Sequence, residues 1–123
     1  MRHIGKINLL LIQKKWPNAN TDVVLTDERL FHILERHEAD FILLSDYIET
    51  VIENPNYILE DKKNEDTAIF IGDVSDTNLS VVIKLAFSQQ TDGVFSSVIT
   101  MYQCGNKRLQ RLVKYYPVLY KRE

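Results

Sequence analysis

Three side chains suited to proton transfer or anion binding lie close together near the start of the chain: His32, Arg36 and His37. An imidazole titrates near neutral pH and can act as a general acid or base, and a guanidinium can hold the oxygens of a phosphate. The combination favours chemistry on an anionic substrate. The competing interpretation is structural, with His37 at the edge of the core and with His32 and Arg36 on a solvated helix face.

The segment that carries these residues, 26–37, is predicted to be an amphipathic helix. Thr26 is a good N-cap, and Asp27 and Glu28 place negative charge at the positive end of the helix dipole. The next positions follow the i, i+3, i+4, i+7 spacing of one buried face: Leu30, Ile33, Leu34 and His37. A histidine therefore ends the apolar stripe, beside a cation that can hold a phosphate.

Polar residues interrupt two of the predicted strands. Lys84 lies in a strand that is otherwise almost wholly apolar, and Ser97, Thr100 and Tyr102 lie in the strand that we expect beside it. A sheet face with ammonium and hydroxyl groups, next to the His37 helix, can bind a phosphodiester. The structural interpretation is that Lys84 extends to solvent, that Thr100 satisfies strand propensity and that Tyr102 is a rim aromatic.

The length of 123 residues, with 45% hydrophobic and 26% charged residues, predicts one globular domain, 1–123, in which 1–22 form an N-terminal arm and 23–123 the core. The first part of the arm, 2–16, suits a strand better than a helix because Gly5 interrupts it and Pro17 ends it, although a helix stays open. A second helix is predicted from about 40 to 53, where Asn54 and Pro55 stop it.

After Pro55 the periodicity changes from helical to extended. Strands are predicted at 57–59, 67–71, 79–87 and 95–103, with a turn at 89–93, and a closing helix at 106–116. The short connections predict an antiparallel meander. The expected fold class is therefore α+β, with two N-terminal helices packed on a four-stranded antiparallel sheet and a short C-terminal helix.

The charge is divided unevenly along the chain. The formal net charge is −2, so no global positive field attracts nucleic acid, and any anionic substrate must be recognised locally. The segment 107–121 nevertheless holds five cations and no acid. Its first two, Lys107 and Arg108, are candidate substrate-binding residues; the competing interpretation is an ordinary soluble helix face.

The composition also bounds cofactors and location. Cys104 is the only cysteine, so no internal disulfide is possible and a reducing compartment is expected. No stretch is long and apolar enough to span a bilayer, which predicts a cytoplasmic protein without membrane contact. His32 and His37 are five residues apart, unlike the i, i+4 pair that grips zinc from one helix face, so neither a metal nor another cofactor is expected.

Several short motifs occur in order along 23–123: VLTDER at 24–29, HI at 32–33, ERH at 35–37, IENPNYI at 52–58, EDK at 60–62, VITMY at 98–102 and VLYKRE at 118–123. Their order and spacing resemble the phage barnase/EndoU/colicin/RelE-like nuclease family, whose members are predicted ribonucleases of phages and mobile elements. The leading segment 2–7 is similar to an arm that often precedes this domain.

The resemblance implies the α+β fold given above and metal-independent RNA cleavage on the exposed sheet face. Residue by residue, it implies Arg36, His37 and Thr100 as active groups, with His32 matching an earlier helix histidine and Lys84 a looser match to a basic strand position. The expected reaction is transesterification: the ribose 2′-OH attacks the adjacent phosphorus, and His37 serves as base or acid. Arg36, Lys84 and Thr100 would stabilise the charge at phosphorus.

In this interpretation Tyr102 stacks a base, Ser97 adds a hydroxyl to the binding face, and the protein is a toxin or a host-takeover nuclease with RNA as substrate. An antitoxin or immunity protein is a further expected partner. The alternative function is a non-catalytic module that binds nucleic acid or protein through the same face. A third, weaker alternative is an antitoxin-like or virion-assembly protein.

Overall fold

The computed structural model describes residues 1–87 and 94–123, so the predicted turn at 89–93 lies outside the described residues. The helices are α1 (Asp27–Leu44), α2 (Ile48–Glu53) and α3 (Asn106–Tyr115), with 3₁₀ turns at Leu9–Leu11 and Ser45–Tyr47. The strands are β1 (Arg2–Lys6), β2 (Asp22–Leu25), β3 (Tyr57–Glu60), β4 (Thr67–Val74), β5 (Thr77–Lys84), β6 (Ser96–Cys104) and β7 (Val118–Lys121).

The described strands form one seven-stranded mixed sheet with the order β1-β2-β6-β5-β4-β3-β7. All neighbouring strands are antiparallel except β2 and β6, which are parallel. The predicted α+β class is confirmed, but the prediction of a four-stranded antiparallel sheet is wrong. The three additional strands, β1, β2 and β7, have only four or five residues each, and their partners are set by tertiary contacts that a local pattern does not show.

The first helix is predicted correctly at its start, and its predicted end at His37 is a kink within a longer helix. Thr26 caps α1 through a hydrogen bond that its hydroxyl accepts from the Arg29 amide at 3.2 Å. The helical residues run on to Leu44, but His37 itself has non-helical dihedral angles (φ −138°, ψ 38°), so a kink divides α1 at the residue where the predicted helix ends. The predicted second helix, 40–53, is divided among the end of α1, the 3₁₀ turn and the short α2, which begins at Ile48.

The arm begins with a strand, β1, as the sequence favours, but it does not continue as one strand to residue 16. After β1 pairs with β2, the chain makes a 3₁₀ turn and then reaches Ala19, which bridges Phe87. Ile7, Ile12 and Trp16 are buried in the main core. The arm therefore belongs to the packed domain.

The two faces of the sheet are covered differently. The first face carries the larger core, in which α1, α2 and the arm pack against alternate strand residues such as Phe70, Ile83 and Met101. The second face carries a smaller cluster built on Leu59, Ile69, Ile71 and Val82, and α3 packs on it through Leu109, Leu112, Val113 and Tyr116. No helix of the described residues is long and apolar enough to cross a membrane.

The contact between α2 and β4 is close enough to test. A Cβ added at Gly72 would lie 2.7 Å from Cγ2 of the buried Val51. Because overpacking a tight core costs about 1–3 kcal/mol, Gly72→Ala should lower the free energy of unfolding by about that amount in urea denaturation. Gly105→Ala is the control, since a Cβ there meets nothing within 4 Å. Equal effects of the two substitutions would contradict the packing described here.

Candidate active site

The site is positioned by the way α1 lies along β6. Strand β2 pairs with β6 only through Val23 with Ser96 and Val24 with Ser97, after which the chain enters α1. Farther along β6, the Asp40 carboxylate accepts a hydrogen bond from the Gln103 backbone amide at 3.0 Å. The helix thus continues beside the strand and replaces β2 as the neighbour of β6, which brings its second half to the end of that strand.

His37 lies at this junction. Its side chain is 32% exposed, and its Nδ1 lies 3.9 Å from the Asp40 carboxylate. Its ring centroid lies 6.0 Å from that of Tyr102, with the two planes tilted by 38°. The imidazole is therefore accessible to a substrate on one side and has the Asp40 carboxylate near its Nδ1 on the other.

Tyr102 links His37 to the start of α3. The Arg108 guanidinium carbon lies 4.2 Å from the Tyr102 ring centroid, within the range of a cation–π contact. Burial raises the pKa of Tyr102 above its ordinary value, although the positive charge of Arg108 acts in the opposite direction. The phenol therefore stays protonated at neutral pH and can donate a hydrogen bond. A histidine, a phenol and a guanidinium are thus gathered around one aromatic ring.

The strand register arranges the other predicted residues in a row on the second face. Ser80 pairs with Tyr102, Val82 with Thr100, and Lys84 with Ser97; paired residues project to the same face. Lys84 follows Ser80, the partner of Tyr102, on the same strand. Since a strand rises about 3.3 Å per residue, Lys84 lies about 13 Å along the sheet from the Ser80–Tyr102 pair. The structure therefore places Thr100, Ser97 and Lys84 on the same face as Tyr102, but it does not bring Lys84 to His37.

A bulge separates the two ends of this row. The register of β5 and β6 shifts between Val82 and Ile83, which leaves Ile99 as an extra residue on β6. Ile99 packs with the second cluster and also lines a cleft of about 440 Å³ at the Lys84 end of the row. β-bulges re-aim side chains, so this one helps to shape the cleft. The other residues that line it are Arg29, Lys63, Asn64, Glu65, Thr67, Val82 and Lys84.

Lys84, which lines this cleft, is an exposed residue. Its Nζ donates a hydrogen bond to the Glu65 backbone carbonyl at 2.5 Å. Arg29 lies across the cleft, in the first turn of α1. The exposed Arg36 follows Arg29 by seven residues and shares its helix face, so α1 presents cations along the row from the cleft toward His37. The i, i+7 spacing of Arg29 and Arg36 is the sequence signal that could have identified Arg29.

The remaining predicted residues lie outside this cluster. His32 is exposed, and its contacts are with neighbours on α1: Glu35 Oε1 lies 3.6 Å from its Nδ1, and the Phe31 ring meets it edge-on at 6.4 Å. Lys107 is exposed on the outer side of α3. Asp40, by contrast, is central to the geometry and was not predicted, because in sequence it is one of many helix acids.

Cys104 is buried, and burial raises the pKa of its thiol above the ordinary value, which keeps the thiol protonated at neutral pH. Among residues 1–87 and 94–123, no group of three or more His, Cys, Asp or Glu side chains is arranged to hold a metal ion.

An α+β domain with a histidine, several cations and hydroxyl groups on one sheet face suits a protein that acts on phosphodiesters. A family model described as phage-Barnase-EndoU-ColicinE5/D-RelE like nuclease 3 matches residues 2–111. The chain belongs to this nuclease family, which confirms the predicted resemblance and implies a nucleic-acid substrate. No curated protein and no solved structure matches the chain.

The tether between α1 and β6 gives a testable prediction. Asp40→Ala removes the acceptor of the Gln103 amide and should lower the free energy of unfolding by about 1 kcal/mol. Asp40→Asn keeps an acceptor oxygen and should cost less than half as much. Urea denaturation of both variants measures the difference, and equal losses would show that the hydrogen bond does not hold the helix to the strand.

Proposed function

We propose that the protein is a metal-independent endoribonuclease, and that its active site is the part of the second sheet face between α1 and the start of α3. The observation that carries the proposal is the meeting of His37 and Arg108 at the Tyr102 ring. This cluster supplies a proton-transfer group and a phosphate-binding cation at one aromatic ring. Membership of a nuclease family supports the reaction class.

In the proposed reaction, the ribose 2′-oxygen loses its proton and attacks the adjacent phosphorus. The bond from phosphorus to the 5′-oxygen then breaks, the 5′-oxygen takes up a proton, and a 2′,3′-cyclic phosphate is left. His37 exchanges the proton in one of these two steps, because imidazole is the side-chain group best suited to general acid–base catalysis. Asp40, 3.9 Å from Nδ1, stabilises the imidazolium when it forms.

Arg108 holds a non-bridging phosphate oxygen as negative charge develops, and the protonated phenol of Tyr102 donates a hydrogen bond to the same group. Thr100, the next residue along the second face, offers a hydroxyl, and the exposed Arg36, one residue before His37, adds a cation on the helix side. The Arg108 guanidinium lies against the Tyr102 ring, so in this scheme Tyr102 holds Arg108 in place. This role replaces base stacking as the main task of Tyr102.

Lys84 and Arg29 have a different role in this scheme. Because their cleft lies about 13 Å along the face from Tyr102, they bind a phosphate that flanks the cleaved one, with Ser97 beside them. His32 is not needed for phosphate contact, and it enters only as a candidate for the second proton transfer. An RNase of a phage or mobile element that attacks host RNA in the cytoplasm would act as a toxin or host-takeover nuclease. The antitoxin or immunity partner stays a prediction.

His37→Ala tests the proposed proton transfer. General acid–base groups contribute roughly 10²–10⁴-fold, so the variant should cleave RNA at least about 100-fold more slowly than the wild type, measured as initial rates in excess chelator. His3→Ala is the matched control: His3 is also an exposed imidazole 3.4 Å from a carboxylate, that of Asp22, but it lies on β1. A similar loss in both variants, or none in His37→Ala, would contradict the assignment.

The nucleophile is tested with a substrate that carries a single ribonucleotide in a DNA strand. Cleavage should occur only after that ribonucleotide and should leave a 2′,3′-cyclic phosphate, identified by mass spectrometry. The same strand with 2′-deoxyribose throughout should stay intact, because it lacks the attacking oxygen. Cleavage of the all-DNA strand at a comparable rate would rule out transesterification.

The distance between the two ends of the row favours one competing function. A non-catalytic nucleic-acid-binding module could use the Lys84 cleft and the His37 cluster as separate phosphate contacts, with no chemistry at either. Under that function the wild type would form no product, and RNA binding would survive His37→Ala.

A further inference from the structure

Helix α3 carries a strip of cations on the side that faces away from the sheet. Lys107, Arg111 and Lys114 follow the i, i+4, i+7 spacing of one helix face, are exposed, and border a shallow depression of about 450 Å³ together with Gln110. We call these three cations the α3 strip. None of the ion pairs found among the described residues involves the strip. Within residues 1–87 and 94–123 its positive charge is therefore not paired with an acid.

The charges at the start of α3 do not serve the stability of the helix, whereas Lys114 lies in its last turn, where a cation is favourable. Its first turn holds Lys107 and Arg108 and no acid, and Gly105, the N-cap, provides no side-chain hydrogen bond. Cations beside the positive end of the helix dipole cost stability, on the order of 0.3–1 kcal/mol. A polyanion bound at the start of this helix would reverse that cost, which points to a ligand rather than to folding as the reason for the cations of the first turn.

The strip lies next to the proposed active site. Arg108, one residue after Lys107, contacts Tyr102, while the opposite side of α3 packs on the second face through Leu109 and Leu112. The strip extends from Lys107 to Lys114 over about 10 Å of helix. In a chain with a net charge of −2, such a local concentration of cations is suited to a phosphate backbone that leaves the His37 site along α3.

We propose that the α3 strip binds the phosphates of an RNA strand beyond the cleaved linkage, so that the protein acts on RNA of several nucleotides or more in preference to dinucleotides. The expected preference for longer RNA in cleavage rests on the proposed function. Binding of RNA by the strip can be measured without any cleavage.

The test is the neutral double variant Arg111→Gln and Lys114→Gln, which keeps good helix-forming residues. The matched control, Lys6→Gln and Lys14→Gln, removes two charges from exposed positions on β1 and the arm. Binding of a 20-nucleotide single-stranded 2′-O-methyl RNA, which the proposed reaction cannot cleave, is measured by fluorescence anisotropy at several salt concentrations. Circular dichroism checks that both variants keep their helix content.

For single strands, each phosphate contact adds about 0.7 to the magnitude of the slope of log K against log salt concentration, where K is the binding constant. The α3 variant should therefore lose about 1.4 from the magnitude of the slope, and the control variant should keep the wild-type slope. An unchanged slope in the α3 variant, or an equal loss in the control, would overturn the proposal.

Cleavage separates the two proposals. With unmodified RNA, the α3 variant should lose about tenfold or more of the preference in kcat/KM for a 20-nucleotide substrate over a dinucleotide, because two backbone contacts are removed. If the wild type cleaves no RNA but the salt slope of the α3 variant falls as expected, the proposed nuclease function is contradicted and RNA binding by the α3 strip is supported. If the wild type cleaves RNA but the salt slope of the α3 variant does not change, RNA binding by the α3 strip is contradicted and the proposed nuclease function is supported.

Discussion

The structure depends on what lies beside β6 where β2 stops. A strand presents backbone groups along both sides, and those of β6 meet β2 only at Ser96 and Ser97. Beyond them α1 takes the place of a strand, and the Asp40 carboxylate accepts the hydrogen bond of the Gln103 amide. Because helix and strand run side by side from this point, a helix histidine meets a strand tyrosine. The packing of α1 beside the unpaired side of β6 thus sets the position of His37.

Local signals predicted the parts of the fold that local physics determines. The Thr26 cap, the helix that follows it, the stop before Pro55 and the central strands all carry their own patterns of capping, periodicity or breaking residues. The parallel pairing of β2 with β6 joins residues more than 70 positions apart and has no local pattern. The short outer strands β1 and β7 likewise exist only because a neighbour supplies hydrogen bonds, so the predicted sheet had too few strands.

The site shows the same division. The sequence identified His37, Thr100, Tyr102 and Lys84 as polar residues in apolar surroundings, and the register places the last three on one face. It could not give the distance between them, because that distance depends on strand pairing and on the bulge at Ile99. Asp40 was missed for a similar reason: its partner on β6 is 63 residues away in sequence.

The second face links the fold to the chemistry. A wholly apolar face would need a complete cover, as the first face has in α1, α2 and the arm. On the second face, apolar residues alternate along the strands with Lys84, Ser97 and Thr100, so the short α3 suffices to bury the apolar cluster. The polar rows can then stay in contact with water and with a substrate. The residues that weaken this face as a core are therefore the same residues that allow it to bind an anion, and the length of α3 decides how much of the face stays open.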